Sequence, residues 1–161
     1  MSKLGTTKNL KKKELNKEWC DFLWSLLVKA IAGFKSEISG DTEDLQSHHL
    51  AGKPNFLLRY IVLDNGICIT KGQHHFGFHH AGRVELYRSY AKKLRGEDIY
   101  EKLELLKNRN DKISLATIEE FLIKQLVPFN EKIIYYYQAK EYKSVKVIKM
   151  YERLFKKLAE D

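Results

Sequence analysis

The sequence predicts an α+β fold in which a small β-rich unit lies between helical flanks. Apolar residues recur at steps of three and four before residue 35 and again after residue 83, which is the period of an amphipathic helix. Between residues 40 and 82 the apolar segments are short and are separated by glycines and a proline, as in strands and turns. We therefore divide the chain into 1–40, 41–82 and 83–161.

The composition excludes several classes of protein. Hydrophobic residues make up 43% and charged residues 31% of the 161 residues, which is typical of a globular domain. No apolar run reaches the roughly 18 residues of a membrane helix, and no signal-peptide segment follows the N-terminus, so we expect a cytoplasmic protein with no membrane partner. The two cysteines, Cys20 and Cys68, cannot form a disulfide framework or a four-cysteine zinc site.

The first segment predicts a basic amphipathic helix from about Lys11 to Lys35. Its apolar face comprises Trp19, Phe22, Leu23, Leu26, Leu27, Ala30, Ile31 and Phe34. The run Lys11–Lys13 lies outside this face and is suited either to DNA contact or to a solvated surface.

The middle segment predicts two strands, Leu57–Leu63 and Ile67–Thr70, because branched apolar residues are frequent in both. Asp64-Asn65-Gly66 between them predicts a hairpin turn, since Asn and Gly accept positive φ angles. The last segment predicts four helices: Val84–Leu94, Asp98–Lys107, Leu115–Leu126 with Ser114 as N-cap and Pro128 at its end, and Glu131–Leu158 with a break near Lys143.

Basic residues are concentrated in the flanks. Lys and Arg number 29 against 21 Asp and Glu, which gives a net charge of +8. Residues 1–40 carry 8 basic and 4 acidic groups, residues 41–82 carry 3 and 4, and residues 83–161 carry 18 and 13. This distribution favours DNA as a partner of the flanks, although a solvated basic surface gives the same counts.

All six histidines fall within residues 48–80, as the adjacent pairs His48-His49, His74-His75 and His79-His80. Imidazole is a common ligand for divalent metals and a suitable general base near neutral pH. On an α-helix His75 and His79 share a face, whereas His74 and His79 point about 140° apart. The histidines therefore predict metal binding, acid–base chemistry, or both.

Four segments resemble the HNH, or ββα-metal, endonuclease family: Leu45-Gln46-Ser47-His48-His49-Leu50, Leu58-Arg59-Tyr60, Asn65-Gly66-Ile67-Cys68-Ile69 and His74-His75-Phe76-Gly77-Phe78-His79. The resemblance covers about Gly33 to Tyr87 and implies a ββα-metal core embedded in flanking helices. Many members carry cysteine pairs for a structural zinc, but this chain has Phe34–Gly40 and Ile69–Gln73 at those places. We expect packing to replace that zinc.

The resemblance also implies a role for each residue of the motif. His48 is a metal ligand, His49 the general base and Asn65 the residue that orients this base. His74 or His75 is the motif's final ligand, with His75 preferred because it chelates together with His79. The alternative for Asn65 is that of a simple turn residue.

The resulting hypothesis is a metal-dependent DNA endonuclease that hydrolyses phosphodiester bonds. We expect Mg²⁺ or Mn²⁺ to support turnover and Zn²⁺ or Ni²⁺ to bind. The segments Tyr87–Tyr90, Leu103–Asn108 and Ser114–Leu122 resemble parts of phage recombination endonucleases that act on branched or single-stranded DNA. The alternative is a non-catalytic, zinc-stabilised DNA-binding module. The oligomeric state is open, and a homodimer is compatible with the sequence.

Overall fold

The computed structural model describes residues 3–78 and 83–160, and for residues 3–15 it describes the backbone alone. The chain forms two compact units. The helical unit comprises Met1–Trp24 and Ser114–Asp161, and the central unit comprises Ser25–Ile113. These limits differ from the three segments of the sequence, because residues 25–40 and 83–113 group with the β-rich middle segment.

The helices and strands of the described residues are, in chain order, α1 (Lys3–Ile31), β1 (Leu45–His49), β2 (Gly66–Thr70), α2 (Lys71–Gln73), α3 (Val84–Arg95), α4 (Ile99–Leu106), α5 (Leu115–Leu126), α6 (Asn130–Gln138) and α7 (Val145–Leu158). Leu57–Ile61 and His74–Phe78 are π-helical, and Leu63–Asn65 and Val127–Phe129 are 3₁₀ turns. Helices with one small antiparallel sheet confirm the α+β class. No described helix is long and apolar enough to cross a membrane.

Helix α1 starts earlier and ends earlier than predicted. It ends in a Schellman motif, in which Gly33 and Phe34 have positive φ and donate to the carbonyls of Ala30 and Lys29. The predicted face is largely buried, but Ile31 is 48% exposed. The side chains of Lys11–Lys13 lie outside the described part of α1, so their role stays a prediction.

The predicted strand Leu57–Leu63 is wrong, because residues 57–61 form a π-helical turn. Asn55 holds this turn through its side chain. Its Oδ1 accepts from Leu58 N, and its Nδ2 donates to the Leu106 carbonyl at the end of α4. Leu58 is fully buried in a cluster with Ile99 and Leu103. Tertiary packing therefore overrides the strand preference of this apolar run.

The predicted tight hairpin at Asp64-Asn65-Gly66 is also wrong. Strand β1 pairs antiparallel with β2, with Leu45 opposite Thr70 and His49 opposite Gly66. The whole segment 50–65 connects them, and Leu63–Asn65 is its last, 3₁₀ turn. Among described residues other than glycine, φ is positive at Phe34 and Asp44, not at Asn65. Asn65 therefore has no backbone role as a hairpin residue.

The outer edge of β2 is covered by polar groups. Glu37 N donates to the Cys68 carbonyl, and Cys68 N donates to Glu37 Oε2. Arg95 Nη2 donates to Glu37 Oε1 at 2.7 Å and to the Gly66 carbonyl at 3.0 Å. These contacts satisfy an edge that would otherwise present unpaired backbone groups.

The segments Phe34–Gly40 and Ile69–Gln73, in which the sequence lacks cysteines, are joined by hydrogen bonds. Ser36 Oγ accepts from the backbone N–H groups of Ile38 and Ser39 and donates to Gln73 Oε1 at 2.7 Å. Gln73 also forms a capping box with Thr70 at the start of α2. The turn at Ser36 is thus tied directly to the end of β2 without metal.

The predicted C-terminal helices are confirmed, with the expected break between α6 and α7. The Ser114 side chain caps α5 by accepting from Thr117 N, and Ser144 caps α7 in the same way. The tyrosines of the C-terminal region differ in exposure. Tyr137 and Tyr142 pack against Tyr151, whereas Tyr135 is 75% exposed.

Glu119 is an ionic centre of the helical unit. Its Oε1 lies 3.1 Å from Arg153 Nη2 and 3.0 Å from Lys157 Nζ, and Arg153 lies over the Trp19 ring. Burial raises the pKa of Glu119, but the hydrogen bond and charge of Lys157, with the charge of Arg153, outweigh burial and lower this pKa. The ionised carboxylate therefore stabilises the folded chain.

We predict that Glu119→Gln lowers the free energy of unfolding by about 1 kcal/mol at pH 7. Because the folded-state pKa lies below the unfolded value of about 4.3, this difference should shrink as the pH falls below about 5. Urea unfolding followed by tryptophan fluorescence at pH 7 and pH 3 measures both values. The exposed neighbour variant Glu120→Gln is the control, and an equal loss at both pH values would contradict the ionic role.

Candidate functional site

Strand β1 places the first histidine pair in the central unit. His48 and His49 are consecutive on the strand, so their side chains leave on opposite faces, while Gln46 and His48 share a face. Both histidines are half-buried. The sequence-predicted ligand and base thus start from neighbouring backbone positions and diverge.

The structure brings His48 together with His74. Their ring centroids lie 4.8 Å apart with planes at 62°. The His48 ring also stacks on Phe78 at a centroid distance of 4.4 Å. His74 and Phe78 begin and end the π-helical turn that continues α2. The two-strand sheet followed by this helical turn gives the strand–strand–helix order that the motif resemblance implies.

Gln46 fixes the orientation of His74. His74 Nδ1 lies 2.6 Å from Gln46 Oε1, and an amide oxygen only accepts. Nδ1 therefore carries the proton, and the lone pair of neutral His74 is on Nε2. A hydrogen bond from the second nitrogen is the usual way in which proteins orient a metal-binding histidine. One indication of Gln46 was present in the sequence, namely its position two residues before His48 on the same strand face.

His75 lies on a different side of the turn from this contact. It is exposed, and its ring meets the edge of Phe76, which is itself 56% exposed. The preference for His75 assumed α-helical spacing with His79, whereas the described turn His74–Phe78 is π-helical. His79, with the rest of residues 79–82, lies outside the described residues. The assignment of His75 and His79 as ligands stays a prediction.

His49 is held in one tautomer. Its Nε2 lies 2.9 Å from the backbone carbonyl of Arg59, and a carbonyl only accepts. Nε2 therefore donates, and the lone pair of neutral His49 is on Nδ1. This is the state that a general base requires before it takes a proton from water.

Asn65 is hydrogen-bonded within the connection between the strands, close in sequence to the partner of His49. Its side chain is fully buried and makes three hydrogen bonds of 2.8 Å: Oδ1 accepts from Ala51 N, and Nδ2 donates to the carbonyls of Gly52 and Leu58. The Leu58 carbonyl directly precedes the Arg59 carbonyl that binds His49. Asn65 is therefore linked to His49 through the backbone of Leu58 and Arg59 rather than by direct contact.

An aromatic stack supports the other side of the site, and sequence reasoning missed it. Phe78 contacts Tyr87 of α3 at a centroid distance of 5.3 Å, besides stacking on His48. A Cβ atom at Gly77 would lie 2.5 Å from the Tyr87 ring, so only glycine allows this approach. The glycine between two aromatic residues was the available signal.

The imidazole donors of His48 and His74 suit a divalent metal ion of borderline hardness. Two imidazoles are adjacent, and for His74 the ligating nitrogen is fixed. The described side chains do not bring three His, Cys, Asp or Glu together in one cluster. A complete site would therefore join His48 and His74 to further ligands or water.

Comparison of the chain with protein-family models, curated proteins and solved structures gives no significant match. The function is therefore inferred from the motif residues and from the geometry of His48, His49, Asn65 and His74.

We predict that His48→Ala and His74→Ala each weaken Mn²⁺ binding at least about tenfold, because each removes a ligand. The matched variant His75→Ala should have the smaller effect, since its ring is exposed and contacts Phe76. Isothermal titration of the three variants, with His79→Ala added, measures the affinities. A larger loss for His75→Ala than for His74→Ala would restore the chelate preferred from the sequence.

We predict that Asn65→Asp lowers the free energy of unfolding by about 3 kcal/mol, because aspartate keeps the acceptor for Ala51 but sets an oxygen against two carbonyls. Thermal and urea unfolding measure the loss, with the exposed residue variant Asn110→Asp as the control. A simple turn residue would tolerate aspartate. Equal stability of the two variants would therefore return Asn65 to the turn hypothesis.

Proposed function

We propose that the protein is a metal-dependent DNA endonuclease of the HNH type, with His49 as general base. The observation that carries this proposal is that one ring nitrogen of His49 and one of His74 each lie at hydrogen-bond distance from an oxygen acceptor. In the tautomers that donate to these oxygens, the lone pair is on Nδ1 of His49 and on Nε2 of His74, which lies beside His48. One nitrogen is thus suited to accept a proton and the other to hold a metal.

Hydrolysis of a phosphodiester proceeds by in-line displacement, in which the attacking water and the leaving oxygen lie on opposite sides of the phosphorus. Because His48 and His49 leave β1 on opposite faces, we assign them separate roles, His48 as metal ligand and His49 as general base. His49 Nδ1 takes the proton of the water, while its Nε2 stays bonded to the Arg59 carbonyl.

The metal site would be formed by His48 with His74 or His75, and by His79. A divalent ion there, Mg²⁺ or Mn²⁺ for turnover, supplies positive charge to the scissile phosphate and the leaving 3′ oxygen when bound. Zn²⁺ and Ni²⁺ fit the imidazole donors for binding. Asn65 holds the connection that presents the Arg59 carbonyl, and so keeps His49 in its basic tautomer.

DNA is the proposed substrate because the chain has a net charge of +8. The excess of Lys and Arg favours polyanionic binding partners. Contacts to phosphates contribute much of the affinity of DNA-binding proteins. We place the enzyme in the cytoplasm and propose branched or recombination DNA as its substrate. This narrower substrate follows from the resemblance of the region after residue 83 to phage recombination endonucleases.

We predict that His49→Ala lowers the cleavage rate about 10² to 10⁴-fold, the usual loss for a positioned base. DNA and Mn²⁺ binding should persist, because the metal ligands and the basic residues are unchanged. Plasmid, single-stranded and branched DNA are incubated with each divalent ion in turn, and an EDTA reaction is the blank. Glu120→Gln in the helical unit is the control variant.

Two results would contradict the proposal in different ways. Cleavage by His49→Ala at the wild-type rate would require another base. Binding of all three DNA forms by the wild type, with no cleavage under any ion, would favour the zinc-stabilised binding module instead.

A further inference from the structure

A groove lies in the central unit directly beside the proposed base. It has a volume of about 650 Å³ and is open to solvent. Leu50 and Ala51, the residues that follow His49, form one side, and Arg88 of α3 and Tyr100 of α4 contribute to the other. None of these four residues has a role in the mechanism above.

The groove contains a guanidinium group suited to stacking. Arg88 Cζ lies 4.3 Å from the centroid of the Tyr100 ring. Arg88 forms no ion pair with any carboxylate of the described chain, in contrast to Arg95 and Arg153. A guanidinium that rests on an aromatic ring has a second flat face, and nucleobases stack on such faces.

The rest of the lining favours a base over a phosphate. Glu101 and Glu104 line the groove, and Glu104 pairs with Lys107 at its rim. Their carboxylates repel a phosphate but accept hydrogen bonds from the exocyclic amino groups of bases. Leu105, which is 80% exposed, adds an apolar edge. Together these side chains suit a flat, partly apolar group with amino donors.

The groove is joined rigidly to the site. Leu50 N donates to the Asn65 carbonyl and Ala51 N donates to Asn65 Oδ1, both at 2.8 Å. The same Asn65 holds the Leu58 carbonyl next to the partner of His49. A nucleotide in the groove would therefore be held at a fixed position relative to His49.

We propose that this groove binds an unpaired, amino-bearing nucleobase of the DNA strand, stacked on Arg88. The inference rests on the proposed nuclease function and narrows its substrate to DNA with unpaired nucleotides. Base pairing occupies the amino groups and the stacking faces, so an intact duplex cannot fill the groove. The Arg88–Tyr100 pair then selects substrate without contacting the reacting atoms.

The test measures DNA binding without metal, so that cleavage does not interfere. Arg88→Ala and Arg88→Lys should both weaken binding of single-stranded oligo-dC about tenfold, since lysine keeps the charge but lacks the plane. Duplex binding should change less than twofold. Arg109→Ala, which removes an exposed arginine paired to Asp111, is the matched control and should bind both forms as the wild type does.

A second measurement tests the carboxylates. The wild type should bind oligo-dC more tightly than oligo-dT, which lacks an exocyclic amino group, and Glu101→Gln with Glu104→Gln should reduce this preference. Fluorescence of 2-aminopurine in single-stranded DNA should increase on binding to the wild type, because the base leaves its stack with neighbouring bases, and should increase less with Arg88→Lys.

The outcomes separate this inference from the nuclease proposal. The groove proposal would be overturned if Arg88→Lys bound oligo-dC as tightly as the wild type, or lost affinity equally for single-stranded and duplex DNA. Neither result would bear on the cleavage proposal. If Arg88→Lys lost affinity for single-stranded DNA alone, and the wild type cut no DNA, the groove proposal would be supported and the nuclease proposal overturned.

Discussion

The buried side chain of Asn65 is the constraint on which the central unit depends. A fully buried amide must find partners for its donors and its acceptor, and here all three are backbone groups of the connection between β1 and β2. One side chain therefore fixes the shape of a 16-residue connection that has no β-structure of its own. The Arg59 carbonyl behind His49 and the Leu50–Ala51 wall of the groove follow from that shape.

Local rules predicted the helices of the fold but not the connection. The boundaries of α5 and α7 follow from apolar periodicity and from serine N-caps, both of which act within a few residues. Leu57–Leu63 has the composition of a strand, yet Asn55 ties it to the end of α4, about 50 residues away. Likewise Asn65-Gly66 has the sequence of a tight turn, and its burial depends on contacts that no short window contains.

The candidate site shows the same division between local and distant causes. His48, His49 and Asn65 could be selected from the sequence because their order and spacing are features of the chain itself. The contact between His48 and His74 could not be selected in this way, because the preference for His75 used the α-helical period. Close packing of Gly77 on Tyr87 accompanies a π-helical turn, and this turn sets His74 beside His48. Backbone geometry that depends on tertiary packing therefore determines which of two adjacent histidines contacts His48, while the choice of metal ligand stays a prediction.

The hydrogen bonds around the ends of β2 bear on how the proposed metal site would work. Where a structural ion holds a small motif, the free energy of metal binding is also free energy of folding. Here the Ser36–Gln73 bond, the Thr70 capping box and the Glu37–Arg95 pair hold the ends of β2 through protein groups alone. These contacts involve neither His48 nor His74. An ion held there as proposed would not need to bring the ends of β2 together, and its site could stay open to substrate, as phosphodiester hydrolysis requires.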